Sequence, residues 1–340
     1  MEKIGFGIIG TGSIVNTYVK CINELNQAKL VALYTKSSQR IDSAQKEFGV
    51  SVFDDMDRFL KQSDIDIVCV CNESGNHGEA IKAAAKAGKH VLSEKPLEVS
   101  LEKIDAVIAV CEQHKVKLGC TLQNRCSPEY VELYNAVDQG KLGKLLMGNA
   151  HINWYRPTEY YKNNPWRGTM QLDGGAAFMN QGVHTIDLLL NVMGSVSSVF
   201  GNVKTLVHDI EGEDVGSAIL SFANGAIGTI TGGTALYPGY PEKLEVYGEK
   251  GSILMEGGKI VQWNVKGLPR PSSTPNEEMG SGASDPTAIT HLNHKKVIQD
   301  MITSVMENRS PMVDGPEARK AVEVITSIYK SSDETRVVFL

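Results

Sequence analysis

A chain of 340 residues with 41% hydrophobic and 22% charged side chains has a globular composition and leaves little room for extended disorder. It exceeds the size at which a single core keeps growing, so two domains are expected. Its formal net charge of −6 disfavours duplex nucleic acid, which calls for a concentrated basic face, while leaving a local anion site open.

The chain opens with MEKIGFGIIG, a strand and glycines without the layout of a signal peptide. No apolar run reaches the roughly 18 residues of a membrane span, so the expectation is a cytoplasmic protein with no membrane partner. Cys21, Cys69, Cys71, Cys111, Cys120 and Cys126 form no C-x-x-C pair; they read as buried free thiols of a reducing compartment.

Through the first third, short apolar runs alternate with helical patterns. Strands are expected over 4–9, 29–34, 65–71, 90–92 and 116–120, and helices over 13–26, 38–47, 76–87 and 100–113. This alternation predicts right-handed crossovers and a mostly parallel sheet, with ligands at the carboxyl ends of the strands. The first strand runs into GIIGTGSI. There Gly10 suits a tight turn, and the absent Cβ of Gly12 lets the backbone approach a pyrophosphate. The amides of Ser13 and Ile14 then present the positive end of a helix to the phosphates. The third position of G-x-G-x-x-G holds Val15. The second strand ends in Leu33-Tyr34-Thr35-Lys36-Ser37, without the carboxylate that binds a ribose diol. Thr35, Lys36, Ser37 and Arg40 can instead surround a 2′-phosphate, so the cofactor reading leans from NAD toward NADP. A plain solvated helix start with NAD is the alternative.

Residues 90–97, HVLSEKPL, carry a strand into a Ser-Glu-Lys-Pro turn. Pro96 steers Lys95 from helical geometry, and an ammonium held there can stabilise alkoxide character on a substrate oxygen. Taken alone, a Glu-Lys pair before proline such as Glu94–Lys95 is more often surface charge.

Past residue 122 the texture changes. A helix is expected over 128–139, a strand from 144 leading into an aromatic loop by 157, and a helix over 175–192. Extended runs over 196–265, among them 217–222, 226–231 and 243–247, predict a largely antiparallel sheet. Residues 267–287 form a Pro-, Ser- and Gly-rich excursion, and helices follow over 289–307 and 315–330. The expected domains are 1–122, dinucleotide-binding, and 123–340, for substrate binding and oligomerisation. The loop NWYRPTEYYKNNPWRGT, with Tyr155, Trp166 and Arg167, is ligand apparatus or a structural loop. In LDGGAAFMNQGVHTIDLL, Asn180 and His184 lie four apart and His184 and Asp187 three apart, spacings that make neighbours on a helix. His184 is either a proton carrier near neutral pH or a structural histidine, and Asp187 either orients it or pairs at the surface. No histidine or carboxylate spacing points to a metal.

Together, GIIGTGSI, SEKPL and GGAAFMNQGVHTID, with AGKHVLSEKP, VYGEKGSI and DGPEARKAVEVI, resemble the Gfo/Idh/MocA family of NAD(P)-dependent oxidoreductases across residues 3–330. The resemblance implies an α/β chain: an N-terminal Rossmann fold with a mostly parallel sheet, then an α/β domain with a large, mostly antiparallel sheet. The latter commonly serves homodimer or homotetramer assembly. The implied activity is a sugar, cyclitol or modified-sugar dehydrogenase or reductase. Lys95 then contacts substrate and nicotinamide, and His184 transfers the proton as the substrate carbon gives hydride to the nicotinamide. The family often has Asp where this chain has Asn180, which resembles the branch acting on nucleotide-linked and other modified sugars. PWRGT is similar to a loop of that branch, placing Trp166 and Arg167 on the cofactor. NESGNH begins with Asn72-Glu73 in place of the usual Thr-Pro; His77 matches the position near the cofactor. Gln123 and Arg125 match the segment joining the domains. The resulting cofactor set is Gly10, Gly12, Ser13, Ile14, Thr35, Lys36, Arg40, Asn72, His77, Glu94, Lys95, Gln123, Trp166 and Arg167. The substrate set is Lys95, Arg125, Tyr155, Asn180 and His184, with Lys95, His184 and Asn180 at the chemistry. Two other readings stay open: redox-assisted glycoside hydrolysis and non-catalytic NAD(P) sensing.

Overall fold

A computed structural model describes residues 3–270 and 290–340. Most of the expected excursion over 267–287 therefore lies outside the described residues. Those within Met1–Gln123 and His291–Arg319 form one compact unit, and those within Asn124–Thr290 and Lys320–Leu340 form a second.

The first unit is built on six strands, β1 (Ile4–Ile9), β2 (Ala28–Tyr34), β3 (Ser51–Phe53), β4 (Ile67–Val70), β5 (His90–Ser93) and β6 (Leu118–Cys120). Their order is β3-β2-β1-β4-β5-β6, and every pair is parallel. Helices α1 (Ile14–Glu24), α2 (Ile41–Phe48), α3 (Met56–Leu60), α4 (His77–Lys86) and α5 (Leu101–Gln113) connect them. Every residue of β4 is buried, as expected of a central strand covered on both faces. After α4, Gly88 takes φ +73° and ends the helix as its position suggests. The spans expected for β1, β2, β5 and α5 hold to within a residue or two. The short β3 and α3 were not foreseen, being too brief to show a period.

The second unit holds α6 (Pro128–Asp138), β7 (Leu145–Asn153), α7 (Thr158–Lys162), α8 (Val183–Met193), β8 (Val196–Lys204), β9 (Val215–Phe222), β10 (Ile227–Gly233), β11 (Lys243–Gly248), β12 (Gly251–Glu256) and β13 (Lys259–Val265). Its eight strands run β13-β12-β11-β7-β10-β9-β8-β14, where β14 is Val338–Phe339. All pairs are antiparallel except β7 with β10. Strict alternation along β9 and β10 buries Ala218, Leu220, Phe222 and Ile230 on one face, the signature of a sheet packed on one side. The fold is thus an N-terminal parallel Rossmann sheet followed by a mostly antiparallel sheet domain.

α9 (Leu292–Met306) returns to the first unit beside α1. Lys295 Nζ and His291 Nε2 meet the Glu24 carboxylate at 2.9 and 3.0 Å. α10 (Gly315–Glu334) begins in that unit and continues in the second. Among the described residues, no helix is long and apolar enough to cross a membrane, and no cluster of His, Cys, Asp and Glu could hold a metal. The six cysteines are buried, as the sequence predicts.

Candidate active site

In the first unit the site is built on the carboxyl ends of β1, β2, β4 and β5. Gly10 ends β1 at φ +119°. A Cβ there would lie 2.6 Å from the Cys71 carbonyl oxygen, so only glycine lets the two chain turns approach. At Gly12 a Cβ would meet no protein atom within 4 Å, so the backbone is open to approach from solvent. α1 then starts with no side-chain cap at Ser13 and no acidic residue in its first turn. Open backbone leading into an uncapped helix start suits a phosphate, whose charge the amides and helix dipole favour. Val15 occupies the third fingerprint position without exposure, absorbed into the core. These residues fit a dinucleotide. At the end of β2, Thr35 is buried, its hydroxyl accepting from the Ser37 amide at 3.2 Å. Lys36 and Arg40 are exposed.

The turns after β4 and β5 are tied together by His77. Buried, it sets Nδ1 2.8 Å from the Pro96 carbonyl oxygen and Nε2 3.1 Å from that of Asn72. Burial pushes its pKa down, so the ring is neutral and donates to one carbonyl at a time. His77 therefore braces the two turns from within. Glu94 is likewise buried: Tyr18 of α1 donates to its Oε1 at 2.8 Å, and the Lys95 amide donates to Oε2 at 3.2 Å. Tyr18 also shares a 2.7 Å bond with the Thr121 hydroxyl, and His294 of α9 stands 3.9 Å from Oε1. Neither Tyr18 nor His294 was singled out in the sequence, because long-range packing alone brings them to the turn. From Val91 to Glu98, Lys95 is the one residue that is not buried. Two amide oxygens, Asn72 Oδ1 and Gln123 Oε1, are buried with no hydrogen-bond partner among the described residues; both belong to the expected cofactor set.

In the second unit, the helix expected over 175–192 is two elements. A π-helical turn, Ala177–Gly182, precedes α8. Gly174 and Gly175, at φ +76° and +138°, admit the turn. Glu213, just before β9, then organises its start, accepting from the Ala176 and Phe178 amides at 3.2 and 2.6 Å and from the Tyr329 hydroxyl at 2.9 Å. These amides stand at the start of the turn, where a helix leaves its N–H groups without internal partners, so Glu213 caps it. The Gln181 amide reaches back five residues to Ala176. Asn180 therefore lies in the wider turn and His184 in α8, and the four-residue spacing is not that of one regular helix. Between Asp173 and Leu190, only Asn180 and His184 escape full burial. Asp187 receives both arms of Arg125, at 2.6 and 2.8 Å, in a buried pair. Arg125 is thus placed inside the unit, anchoring α8.

The aromatic loop divides. Trp154, Arg156 and Tyr161 are buried, whereas Tyr155, Trp166 and Arg167 are partly exposed. Arg156 donates to Gln181 Oε1 at 2.7 Å. Tyr155 packs edge-on against Tyr237 with centroids 5.2 Å apart, and the Arg167 guanidinium lies 3.9 Å from the centre of the Tyr160 ring. Gly168 and Thr169 hold the Trp166–Arg167 turn by bonds of 2.8 Å to Asp173 and 2.7 Å to the Trp166 carbonyl.

Comparison with known proteins agrees with this construction. Residues 4–122 match the model of an oxidoreductase family with an NAD-binding Rossmann fold, and residues 130–254 that of the GFO/IDH/MocA C-terminal domain. The uncharacterized oxidoreductase YrbE of Bacillus subtilis is 30% identical over 267 residues, covering 76% of this chain and 75% of its own length. Myo-inositol 2-dehydrogenase of Thermotoga maritima is 26% identical over 344 residues, covering 98% of each. The WlbA dehydrogenase of Bordetella pertussis, solved with NADH and UDP-GlcNAcA, superposes with a TM-score of 0.89 at 29% identity, covering 100% of this chain and 99% of its own. With both sheets, the open glycine turn and the Lys95 turn in place, the chain belongs to the Gfo/Idh/MocA family of oxidoreductases.

Proposed function

We propose that this protein is an NAD(P)-dependent dehydrogenase or reductase acting on a hydroxyl or carbonyl of a sugar, cyclitol or modified sugar. One observation carries the reading: Lys95, Asn180 and His184 are the positions at which otherwise buried segments open to solvent. A partly exposed lysine, asparagine and histidine set into packed scaffolds are a hydroxyl-handling set rather than surface decoration. A bound nicotinamide supplies the hydride acceptor or donor. The Lys95 Nζ donates a hydrogen bond to the reacting oxygen and stabilises its charge. The His184 imidazole takes the hydroxyl proton in oxidation and returns it in reduction. Asn180 orients the hydroxyl without titrating. Gly10, Gly12, Ser13 and Ile14 would cradle the pyrophosphate, with Asn72, His77, Gln123, Trp166 and Arg167 completing the cofactor set. Tyr155 belongs to the substrate side. Glu94 and Arg125 support their neighbours through the contacts described above.

The absence of a carboxylate after β2, with Lys36 and Arg40 exposed, favours NADP. The relatives favour a polyhydroxylated substrate: one is an inositol dehydrogenase and another was solved with a nucleotide sugar. The second sheet, by its exposed Phe200, Ile219 and Ile227, is proposed to assemble the chain into a homodimer or homotetramer. The deciding experiment is a parallel turnover screen with NAD and NADP against sugars, cyclitols and sugar nucleotides. Net reduced cofactor with NADP preferred is the expected result. Strict NAD selectivity would overturn the cofactor preference. Hydrolysis without net cofactor reduction would overturn the dehydrogenase reading.

A further inference from the structure

We propose that Asp173 is a positioning residue that fixes the polarity of the Asn180 amide, and that this pairing is why position 180 carries an amide. The inference rests on the reading of Asn180 and His184 as the hydroxyl-handling face.

Asp173 is buried, and each of its oxygens has a defined task. Oδ1 accepts from Asn180 Nδ2, and Oδ2 accepts from the Gly168 amide at 2.8 Å. Asn180 Oδ1 in turn accepts from Gln181 Nε2 at 2.7 Å, and Gln181 Oε1 accepts from Arg156 at 2.7 Å. Donation therefore runs one way, from Arg156 through Gln181 and Asn180 to Asp173. A guanidinium has no acceptor, and each Asp173 oxygen faces an N–H donor, so the ends dictate the direction and the two amides between them have one satisfied orientation each. A carboxylate at 180 would face that of Asp173 at hydrogen-bonding distance, and two such groups cannot both stay ionised. The ionisable neighbours include Tyr160 and Tyr161 of α7, Arg156 before it, Arg167 over the Tyr160 ring, Tyr329 of α10 and Glu213 before β9. Burial holds Tyr161 and Tyr329 neutral, so neither adds a charge to the pair.

The test is an exchange of the pair: N180D, D173N and the double variant D173N/N180D. In N180D, turnover at neutral pH falls by at least about tenfold. Its melting temperature, relative to that of the unaltered protein, rises as pH falls from about 8 to about 5 and the two carboxylates come to share a proton. D173N also loses turnover, because one amide oxygen must serve two donors, the Gly168 N–H and Asn180 Nδ2. In the double variant the new amide at 173 accepts from Gly168 and donates to the new carboxylate at 180, which still accepts from Gln181. Turnover rises at least about threefold above that of N180D while staying below that of the unaltered enzyme, whose amide at 180 faces the hydroxyl, and the added pH dependence of melting disappears. A residue that merely filled space would not produce rescue by exchange. A double variant no better than the worse single one, or N180D with full turnover and unaltered melting, overturns the proposal. Should N180D fail to fold, a folded double variant supports the pairing and an unfolded one overturns it. If the unaltered protein turns over no polyol, the functional reading falls, and the melting series alone decides the pairing.

Discussion

Lys95 and His184 illustrate how a single side chain acquires a task from its surroundings. Each is only partly covered, on a segment whose neighbours are buried. The turn beneath Lys95 is held by Glu94 and braced by His77, so an alanine at 95 removes the ammonium and leaves the turn standing. Lys95→Ala and His184→Ala are each expected to lower kcat by at least roughly 10²-fold, the usual contribution of a positioned proton donor or acceptor. Circular dichroism and cofactor titration should be little changed. Steady-state kinetics on the substrate found by the screen checks this, and full turnover in either variant removes that residue from the mechanism. Both residues were legible as candidates because a lysine before proline and a histidine beside Asn and Asp stand out. Whether they were surface charge and structural histidine was not legible, because burial of the flanking residues is a tertiary property.

Among the elements, the π-helical turn of Ala177–Gly182 departs furthest from expectation. Its composition reads as helix, and its start is capped by Glu213, thirty-three residues beyond Asn180 and invisible to any local pattern. Burial raises the pKa of the Glu213 carboxyl, opposed by the hydrogen bonds it accepts. Glu213→Ala leaves two backbone amides and the Tyr329 hydroxyl proton without an acceptor in the interior, at about 1–3 kcal/mol for each group. A loss of about 3 kcal/mol or more is expected, seen as a melting temperature lower by roughly 6–12 °C. Glu213→Gln, which keeps an acceptor, should recover part of it. Melting unchanged in the alanine variant would mean that the turn is held by something other than this carboxylate.

At the scale of the whole molecule, the two sheets meet the demands of burial differently. The parallel sheet is covered by helices on both faces, whereas the second sheet alternates, leaving Phe200 beside Ile219 in register across β8 and β9 and Ile227 beside Met147 across β10 and β7. Exposed by 43% and 59%, Phe200 and Ile219 form an apolar pair flanked by the polar bonds of Thr229 with Asn149 and Asn149 with Glu245. Apolar pairs within a polar surround are what a self-associating face presents. Ile219→Lys is expected to dissociate the proposed homo-oligomer to monomers, measured by light scattering on a sizing column. A monomer before substitution, at any concentration, would end the assembly proposal.

Local sequence alone determined the parallel first sheet, the glycine turn into α1, the texture of the second sheet and the family, because strand and helix periods and glycine stereochemistry act over a few residues. Tertiary structure decided the rest. It carried α9 back beside α1, set Tyr18 and His294 around Glu94, and turned Arg125 onto Asp187. It capped the π turn with Glu213 and aligned Asn180 between Gln181 and Asp173. Each of these depends on which polar groups lose water together and must find partners in one another, and residues far apart in the chain meet that requirement only once the fold has formed.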